Sequence, residues 1–145
     1  MNRFTKALVF FVITFHVAIF VTEAFLWMRP AIYTFALQRG LNHAVEVDRP
    51  LQAMVLKSLF INQGFYNLFL AIAGIVGLIF LGRGSILIGK TLLNYMCLSA
   101  VGAGLVLALS TTAYIGAFFQ VVPAAVALVT MSRINSSVTA SKTNS

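Results

Sequence analysis

Long apolar runs, separated by short polar interruptions, dominate the chain. Four runs are long enough to cross a membrane, because a spanning helix needs ~20 predominantly apolar residues. They cover about residues 7–28, 58–81, 85–109 and 113–131. The pattern predicts an all-α integral membrane fold, an up-down bundle of four transmembrane helices that forms one domain over residues 1–131. Residues 132–145 are rich in Ser, Thr and Asn and are predicted to be a disordered polar tail.

The connections between the predicted spans differ in length. Gly82–Gly84 and Ser110–Thr112 are short, so the helices on either side of them must be antiparallel neighbours. Residues 29–57 form a longer connection. Within it, Pro50 suits a first helical position, which predicts that span two begins as an amphipathic extension above the membrane. Residues 31–37 fit either a short interfacial helix or an ordinary loop.

Composition narrows the class of function. Apolar residues make up 60% of the chain and charged residues 9%, and the mean hydropathy is +0.95. An ordinary soluble domain carries about 25% charged residues, so little of this chain is left for a water-soluble catalytic domain. The net charge is +7, but the basic residues are scattered at the ends of apolar runs, which is typical of membrane anchors and not of nucleic-acid binding. Cys97 is the only cysteine, which excludes an intrachain disulfide and dithiol redox chemistry within one chain.

The distribution of basic residues predicts the orientation in the membrane. Six lie at the end that would hold both termini and four at the opposite end: Arg3, Lys6, Arg83, Lys90, Arg133 and Lys142 against Arg29, Arg39, Arg49 and Lys57. The positive-inside rule then places both termini in the cytoplasm of a multi-pass plasma membrane protein. An alternative for the first run is a signal peptide, although its apolar character continues through Phe25–Trp27.

Two ionisable residues interrupt the first span. His16 and Glu23 are seven residues apart, and Phe20 and Trp27 extend the same helical face if the helix continues that far. A charge at the centre of a span costs about 2.5 to 3.5 kcal/mol on insertion scales, so each ionisable residue requires an explanation. Glu23 has no cationic neighbour within the spans, and desolvation penalises the charged form of a carboxyl, so we expect Glu23 to be neutral in the empty protein.

Amides are concentrated in the second span. Asn62, Gln63, Tyr66 and Asn67 lie in its first half, and Gln120 lies in the fourth span, at an estimated depth similar to that of Glu23. We therefore predict a hydrogen bond between Glu23 and span two. The polar side chains can be read as hydrogen-bonded packing between helices. They can also be read as a ligand-binding pocket formed by His16, Glu23, Trp27, Asn62, Gln63, Tyr66, Asn67 and Gln120. No metal site is predicted.

These residues carry a resemblance. The pattern of His16, Glu23, Phe25 and Trp27, the block from Asn62 to Ala71, and Gln120 with Pro123–Ala124 resemble the small membrane proteins grouped as domain of unknown function 1304. That family is similar to the wider DoxX-like set of four-helix membrane proteins. The resemblance implies a fold and a site but no reaction. Phe15 stands where the family commonly has an acid, so the acid–histidine pair is missing here.

Three classes of function stay open from the sequence. The first is binding or transport of a small amphiphile, a quinone-like molecule or a proton-coupled solute. The second is a membrane-embedded enzyme that acts on a lipophilic substrate, with Glu23 as acid or base, Tyr66 as electrophilic partner and His16 as proton relay. The third is a structural subunit that packs on partners or on a second copy. Whether the protein is an enzyme, and with which cofactor, is not determined; the expected partners are the bilayer and a lipophilic molecule.

Overall fold

The structure is a computed structural model that describes residues 1–40 and 48–143, with side-chain surroundings for 1–39 and 48–132. The described residues form helices and no strands. The helices are α1 Arg3–Ala24, α2 Pro30–Gly40, α3 Arg49–Gly82, α4 Ile86–Ser110 and α5 Tyr114–Thr143. Helices α1, α3, α4 and α5 (as far as Ser132) are long and apolar enough to cross a membrane. The predicted class, an all-helical membrane fold with four long apolar helices, is confirmed.

The four long helices pack in the order α1, α3, α4, α5, and α5 returns to contact α1. Side chains from all four meet in one apolar core that includes Val12, Ala71, Met96 and Ala124. Helix α2 packs on α3. Consecutive long helices are antiparallel, so the bundle has two ends. The end that holds the start of α1 and the turn between α3 and α4 is called the Gly84 end, and the opposite one the Trp27 end.

Helix α1 ends earlier than predicted. The Asn2 side chain caps its start by accepting a hydrogen bond from the Thr5 amide at 2.7 Å. After Ala24, the amides of Phe25 and Leu26 both donate to the Val21 carbonyl, which closes the end of the helix. Trp27 therefore lies beyond the helix, and the prediction that it shares a helical face with Glu23 is wrong. Pro30, which begins α2, disfavours helical conformation in the residue before it and helps to separate the two helices.

The long connection contains two helical pieces. Helix α2 covers residues 31–37, so of the two alternatives the helix is confirmed and the ordinary loop is not. Helix α3 begins at Arg49 with Pro50 in its first turn, as predicted. Gly64 lies against Ala24 at the end of α1. Residues 49–63 of α3 consequently extend ~22 Å beyond α1, at ~1.5 Å per residue.

The remaining boundaries follow local sequence. Gly84 has a φ of 84°, in the left-handed region that glycine adopts without strain, and it allows the tight turn from α3 to α4. Helix α5 continues to Thr143, past Pro123 and past the predicted span end at residue 131. The segment predicted to be a disordered tail is thus helical as far as residue 143. Its Ser, Thr and Asn residues weaken a helix, but no Gly or Pro follows Pro123 to end it.

Glycines bring α3 and α4 together near the Gly84 end. A Cβ added to Gly89 would lie 2.8 Å from the Gly77 carbonyl oxygen and 2.6 Å from Leu81 Cγ, so there is no room for a side chain at residue 89. Gly102 differs, because a Cβ there would meet nothing within 4 Å. The absence of a side chain therefore determines the distance between α3 and α4 at Gly89, whereas Gly102 has no such role.

Candidate functional site

One carboxyl–amide pair joins α1 to α3 at the Trp27 end. Asn67 Nδ2 donates to Glu23 Oε2 at 3.3 Å, and the same nitrogen donates to the Gln63 carbonyl oxygen at 3.0 Å. Asn67 is 8% exposed and Glu23 is half-buried. The predicted hydrogen bond between Glu23 and span two is confirmed, with Asn67 as the donor. At 3.3 Å this bond is longer than the usual ~2.9 Å for an N–H donor and an oxygen acceptor.

Gly64 determines how closely the backbones approach at this pair. A Cβ on Gly64 would lie 3.1 Å from the Ala24 nitrogen and 3.2 Å from Glu23 Cβ. Gly64 lies three residues before Asn67, which is nearly one helical turn, so it shares the α1-facing side of α3. The absence of a side chain at residue 64 thus lets Glu23 reach across to Asn67.

His16 is fully buried in the bundle. Its Nδ1 lies 2.8 Å from the Val12 carbonyl oxygen, one turn earlier in α1. Because a carbonyl oxygen only accepts, Nδ1 carries the hydrogen and a neutral ring leaves Nε2 as an acceptor. Nε2 has no hydrogen-bond partner among the described residues. His16 is ~10 Å from Glu23 along α1, and no hydrogen bond of the described chain joins the two.

Trp27 holds the connection after α1 against α3. Its ring stacks on Phe60, with centroids 3.6 Å apart and planes 12° apart, and its Nε1 donates to the Ala53 carbonyl at 2.8 Å. Tyr33 and Leu37 of α2 belong to the same small apolar cluster. Trp27 is 2% exposed, so its ring is occupied by these contacts. The contacts make Trp27 an anchor of the fold, whereas a ligand contact was predicted for it from the sequence.

The amide-rich stretch of α3 divides between two faces. Asn67 faces α1, and Gln63, one turn earlier on nearly the same side, is exposed. Tyr66 and Asn62 are ~100° and ~140° away from Asn67 around the helix, and both are exposed. The Tyr66 ring contacts Phe69 of its own helix. The structure therefore brings Glu23, Asn67 and Gln63 together and places Tyr66 and Asn62 on another face.

Gln120 is placed by α4. A Cβ on Gly104 would lie 3.2 Å from Gln120 Cβ, so the glutamine packs where α4 and α5 approach each other. The preceding residue, Phe119, contacts the ring of Phe11, which is twelve residues before Glu23 in α1. Twelve residues correspond to ~18 Å of helix. The expected grouping of Gln120 with Glu23 at one depth is not what these contacts show.

A second connection at the Trp27 end was not predicted from the sequence. Both the backbone nitrogen and the Oγ1 of Thr112 donate to the Arg39 carbonyl oxygen, at 2.9 and 2.7 Å. This carbonyl is in the last turn of α2 and has no partner within the helix. The bonds fix α2 to the short turn between α4 and α5. A short polar turn of three residues gave no signal in the sequence for this contact.

Part of the chain matches a known family. The model of a family described as "Protein of unknown function (DUF1304)" matches residues 10–132. No curated protein and no solved structure matches the chain. The matched range includes Glu23, Gly64 and Asn67, and so contains the whole carboxyl–amide pair. Among the described residues, no group of three or more His, Cys, Asp or Glu side chains lies close enough together to hold a metal ion.

Proposed function

The chain belongs to the DUF1304 family of proteins of unknown function, and we propose that its Glu23–Asn67 pair binds the polar head of a small amphiphile within the membrane. The observation that carries this proposal is a half-buried carboxyl inside an apolar bundle, joined to the protein by one long hydrogen bond at 3.3 Å. The family defines no reaction, so the chemistry of this pair is the basis of the proposal.

The hydrogen-bonding capacity of Glu23 exceeds what Asn67 uses. A carboxyl group has two oxygens and about four lone-pair sites when ionised, or one O–H donor when neutral. Asn67 donates to Oε2 only. In a water-poor environment, unused polar capacity is costly, and a ligand that completes it gains affinity. This surplus is the reason for preferring a binding site over hydrogen-bonded packing.

The surroundings favour a ligand with a neutral polar head and an apolar body. Gln63 is exposed one turn from Asn67, so polar groups continue from the buried pair to the surface of α3. On α1, Phe20 packs edge-on against Phe65, with centroids 5.2 Å apart, and provides an apolar wall next to Glu23. A quinone-like molecule matches this arrangement, because a neutral Glu23, as expected from the sequence, can donate its O–H to a ring carbonyl, and the ring and tail are apolar.

The enzyme alternative receives less support from the geometry. It requires Tyr66 beside Glu23, yet Tyr66 is 61% exposed and lies on a different face of α3. A general acid must lie within hydrogen-bonding reach of the group it serves, directly or through one water. We therefore propose binding, and transport as an extension of it, without a catalytic role for Tyr66.

Trp27 provides the test, because it is the only tryptophan and lies four residues from Glu23. The purified protein in lipid nanodiscs would be titrated with a short-chain ubiquinone analogue while the tryptophan fluorescence is recorded. We expect saturable quenching, weakened about tenfold or more by Glu23→Ala, which removes the O–H donor to the quinone carbonyl. Asn67→Ala should also weaken it, because it removes the amide that positions the Glu23 carboxyl. Asn94→Ala is the matched control, because Asn94 is an exposed amide on α4.

The quinone titration has three possible outcomes. Saturable quenching that only the Glu23 and Asn67 variants weaken supports the proposal. Quenching that rises linearly with quinone in the membrane, equally in all variants, indicates partition into lipid and contradicts it. The absence of any quinone effect in the unchanged protein would also contradict the proposal and leave the pair with a packing role alone.

The same proposal includes the location of the protein. We infer a plasma membrane protein with both termini in the cytoplasm, supported by the six-to-four distribution of basic residues. The pair would then lie in the half of the bilayer away from the cytoplasm. We also infer that the family is part of the DoxX-like set. A solved DoxX-like structure whose four helices superimpose on α1, α3, α4 and α5 in this order would test that relationship.

A further inference from the structure

Helix α3 carries a regular stripe, most of which faces away from its neighbours. The Phe65 ring, at the edge of the stripe, also contacts Phe20 of α1. Successive members are four and three residues apart in strict alternation, which is the heptad spacing of helices that pair along their length. The stripe consists of Leu51, Val55, Ser58, Asn62, Phe65, Phe69, Ile72, Val76 and Ile79. All of these are exposed except Val76, which is half-buried. At 100° per residue the stripe lies roughly opposite the buried residues Ala53, Asn67 and Ala71.

Two parts of this stripe do not suit a monomer in a bilayer. Leu51 and Val55 are 51% and 73% exposed on the part of α3 that extends beyond α1. Further along, Asn62 lies among apolar stripe residues, level with the end of α1, and its exposed amide has no hydrogen bond to the described chain. Lipid tails offer no hydrogen-bond partner to the Asn62 amide, and exposing Leu51 and Val55 to water is unfavourable in free energy.

We propose that this stripe binds the same stripe of a second copy of the chain, so that two α3 helices pair in parallel. Both copies insert with the same orientation, so a two-fold axis along the membrane normal brings each residue of the seam next to its equivalent. Asn62 then meets Asn62 of the other copy, and the two amides can donate and accept reciprocally. A single Asn in such a seam fixes the register and favours a dimer. The Glu23–Asn67 pair is on the other side of α3 and takes no part.

The exposed area of the stripe approaches what one partner buries in a standard interface. Six apolar members of the stripe, Leu51, Val55, Phe65, Phe69, Ile72 and Ile79, are 40% to 73% exposed. Taking ~150 Å², the lower end of the range for aromatic side chains, for each fully exposed side chain, they offer on the order of 500 Å² per copy. Asn62, Ser58 and the flanking Met54 and Leu59 add to this value. A standard interface buries roughly 800 Å² per partner.

Cysteine cross-linking in native membranes would locate the seam. Cys97, the only cysteine, is first replaced by Ser, and single cysteines are then introduced and oxidised with copper phenanthroline. Val55→Cys and Phe69→Cys should give disulfide-linked dimers, because both side chains lie on the stripe. Lys57→Cys is the matched control, exposed on the same helix but ~160° away from Val55. Equal cross-linking at residues 55 and 57 would overturn the proposal.

A second measurement keeps Cys97 intact. Donor- and acceptor-labelled chains are mixed in vesicles of neutral phospholipid, and energy transfer is followed as lipid dilutes the protein. Asn62→Ala should weaken dimerisation about threefold to thirtyfold, the range expected for one interhelical polar contact in a membrane. Asn94→Ala should leave it unchanged. Energy transfer no higher than that of chance proximity at every dilution, or equal effects of the two variants, would contradict the pairing.

Discussion

The two ends of the bundle bring helices together in the same way but line the contact differently. At the Gly84 end, Gly89 of α4 fits against the Gly77 carbonyl and Leu81 of α3, and the lining is apolar. At the Trp27 end, Gly64 fits against Ala24, and a carboxyl–amide pair lies beside the contact. Close packing of helices in this protein therefore does not require a polar pair.

The largest effect is expected at the ring that anchors the Trp27 end. Trp27→Ala should destabilise the protein by about 3 to 5 kcal/mol, because it removes the stack on Phe60 and leaves a cavity beneath α2. Reversible unfolding in mixed micelles would measure the loss. Trp27→Phe is the control: it keeps an aromatic ring and loses the hydrogen bond to the Ala53 carbonyl, at a cost of about 1 to 3 kcal/mol. Equal losses in both variants would show that the stack contributes little.

The next effect concerns the apolar contact at the Gly84 end. Gly89→Ala should cost about 1 to 3 kcal/mol, since the new Cβ would lie 2.8 Å from a backbone oxygen that cannot move aside alone. Gly102→Ala is the matched control. Open space surrounds residue 102, so the substitution should be neutral or stabilise the helix slightly. The same unfolding assay compares them, and a Gly89→Ala protein as stable as the Gly102→Ala protein would refute the close contact.

A smaller effect is expected at the carboxyl–amide pair itself. Glu23→Ala should lower the free energy of unfolding by about 1 kcal/mol or less, because Asn67 keeps its hydrogen bond to the Gln63 carbonyl. Glu23→Gln retains the shape and a hydrogen-bonding group and should change stability still less. A loss above 3 kcal/mol for Glu23→Ala would mean that the pair holds the helices together, and the contrast between the two ends would disappear.

The last prediction concerns orientation, and here no change is expected. Glycosylation of a sequon reports which end of the bundle faces away from the cytoplasm. The sequon Asn135-Ser136-Ser137 lies after the fourth apolar run, and cytoplasmic termini would keep it away from the glycosylation machinery. Expression in a eukaryotic host should leave Asn135 unmodified, as read from the migration of the protein before and after glycosidase treatment. Glycosylation at Asn135 would reverse the orientation, and the Trp27 end would then face the cytoplasm.

Several features could be predicted because they depend on local sequence. Pro50 marks the first turn of α3, and Gly84 provides the turn into α4. The Glu23–Asn67 contact followed from the depths of two polar residues on antiparallel helices, which the span lengths determine. Such features require only helix geometry and the thickness of the bilayer.

Other features depend on which helix faces pack together. The apolar run continues without a stop signal through Trp27, so the sequence did not reveal that α1 ends at Ala24. In the sequence, Asn62 and Asn67 are equivalent candidates for the contact with Glu23. In the structure, the close approach of Gly64 to α1 determines that Asn67 faces Glu23 and Asn62 does not. Gln120 was likewise placed by its contact with Gly104 on α4. Rotation of a helix about its own axis is set by tertiary packing, which apolar periodicity does not resolve when all sides of a helix are apolar.

The bond between Thr112 and Arg39 has a consequence for biogenesis. Helix α2 leaves the ribosome early, but Thr112, which donates hydrogen bonds to its Arg39 carbonyl, is synthesised 73 residues later. At synthesis rates of ~5 to 20 residues per second, α2 waits on the order of 4 to 15 s before Thr112 can reach it. During that time α1 and α3 can insert and pair, whereas α2 still lacks its hydrogen bonds to the turn between α4 and α5. Insertion of the last two helices therefore completes the assembly of a segment made near the beginning of translation.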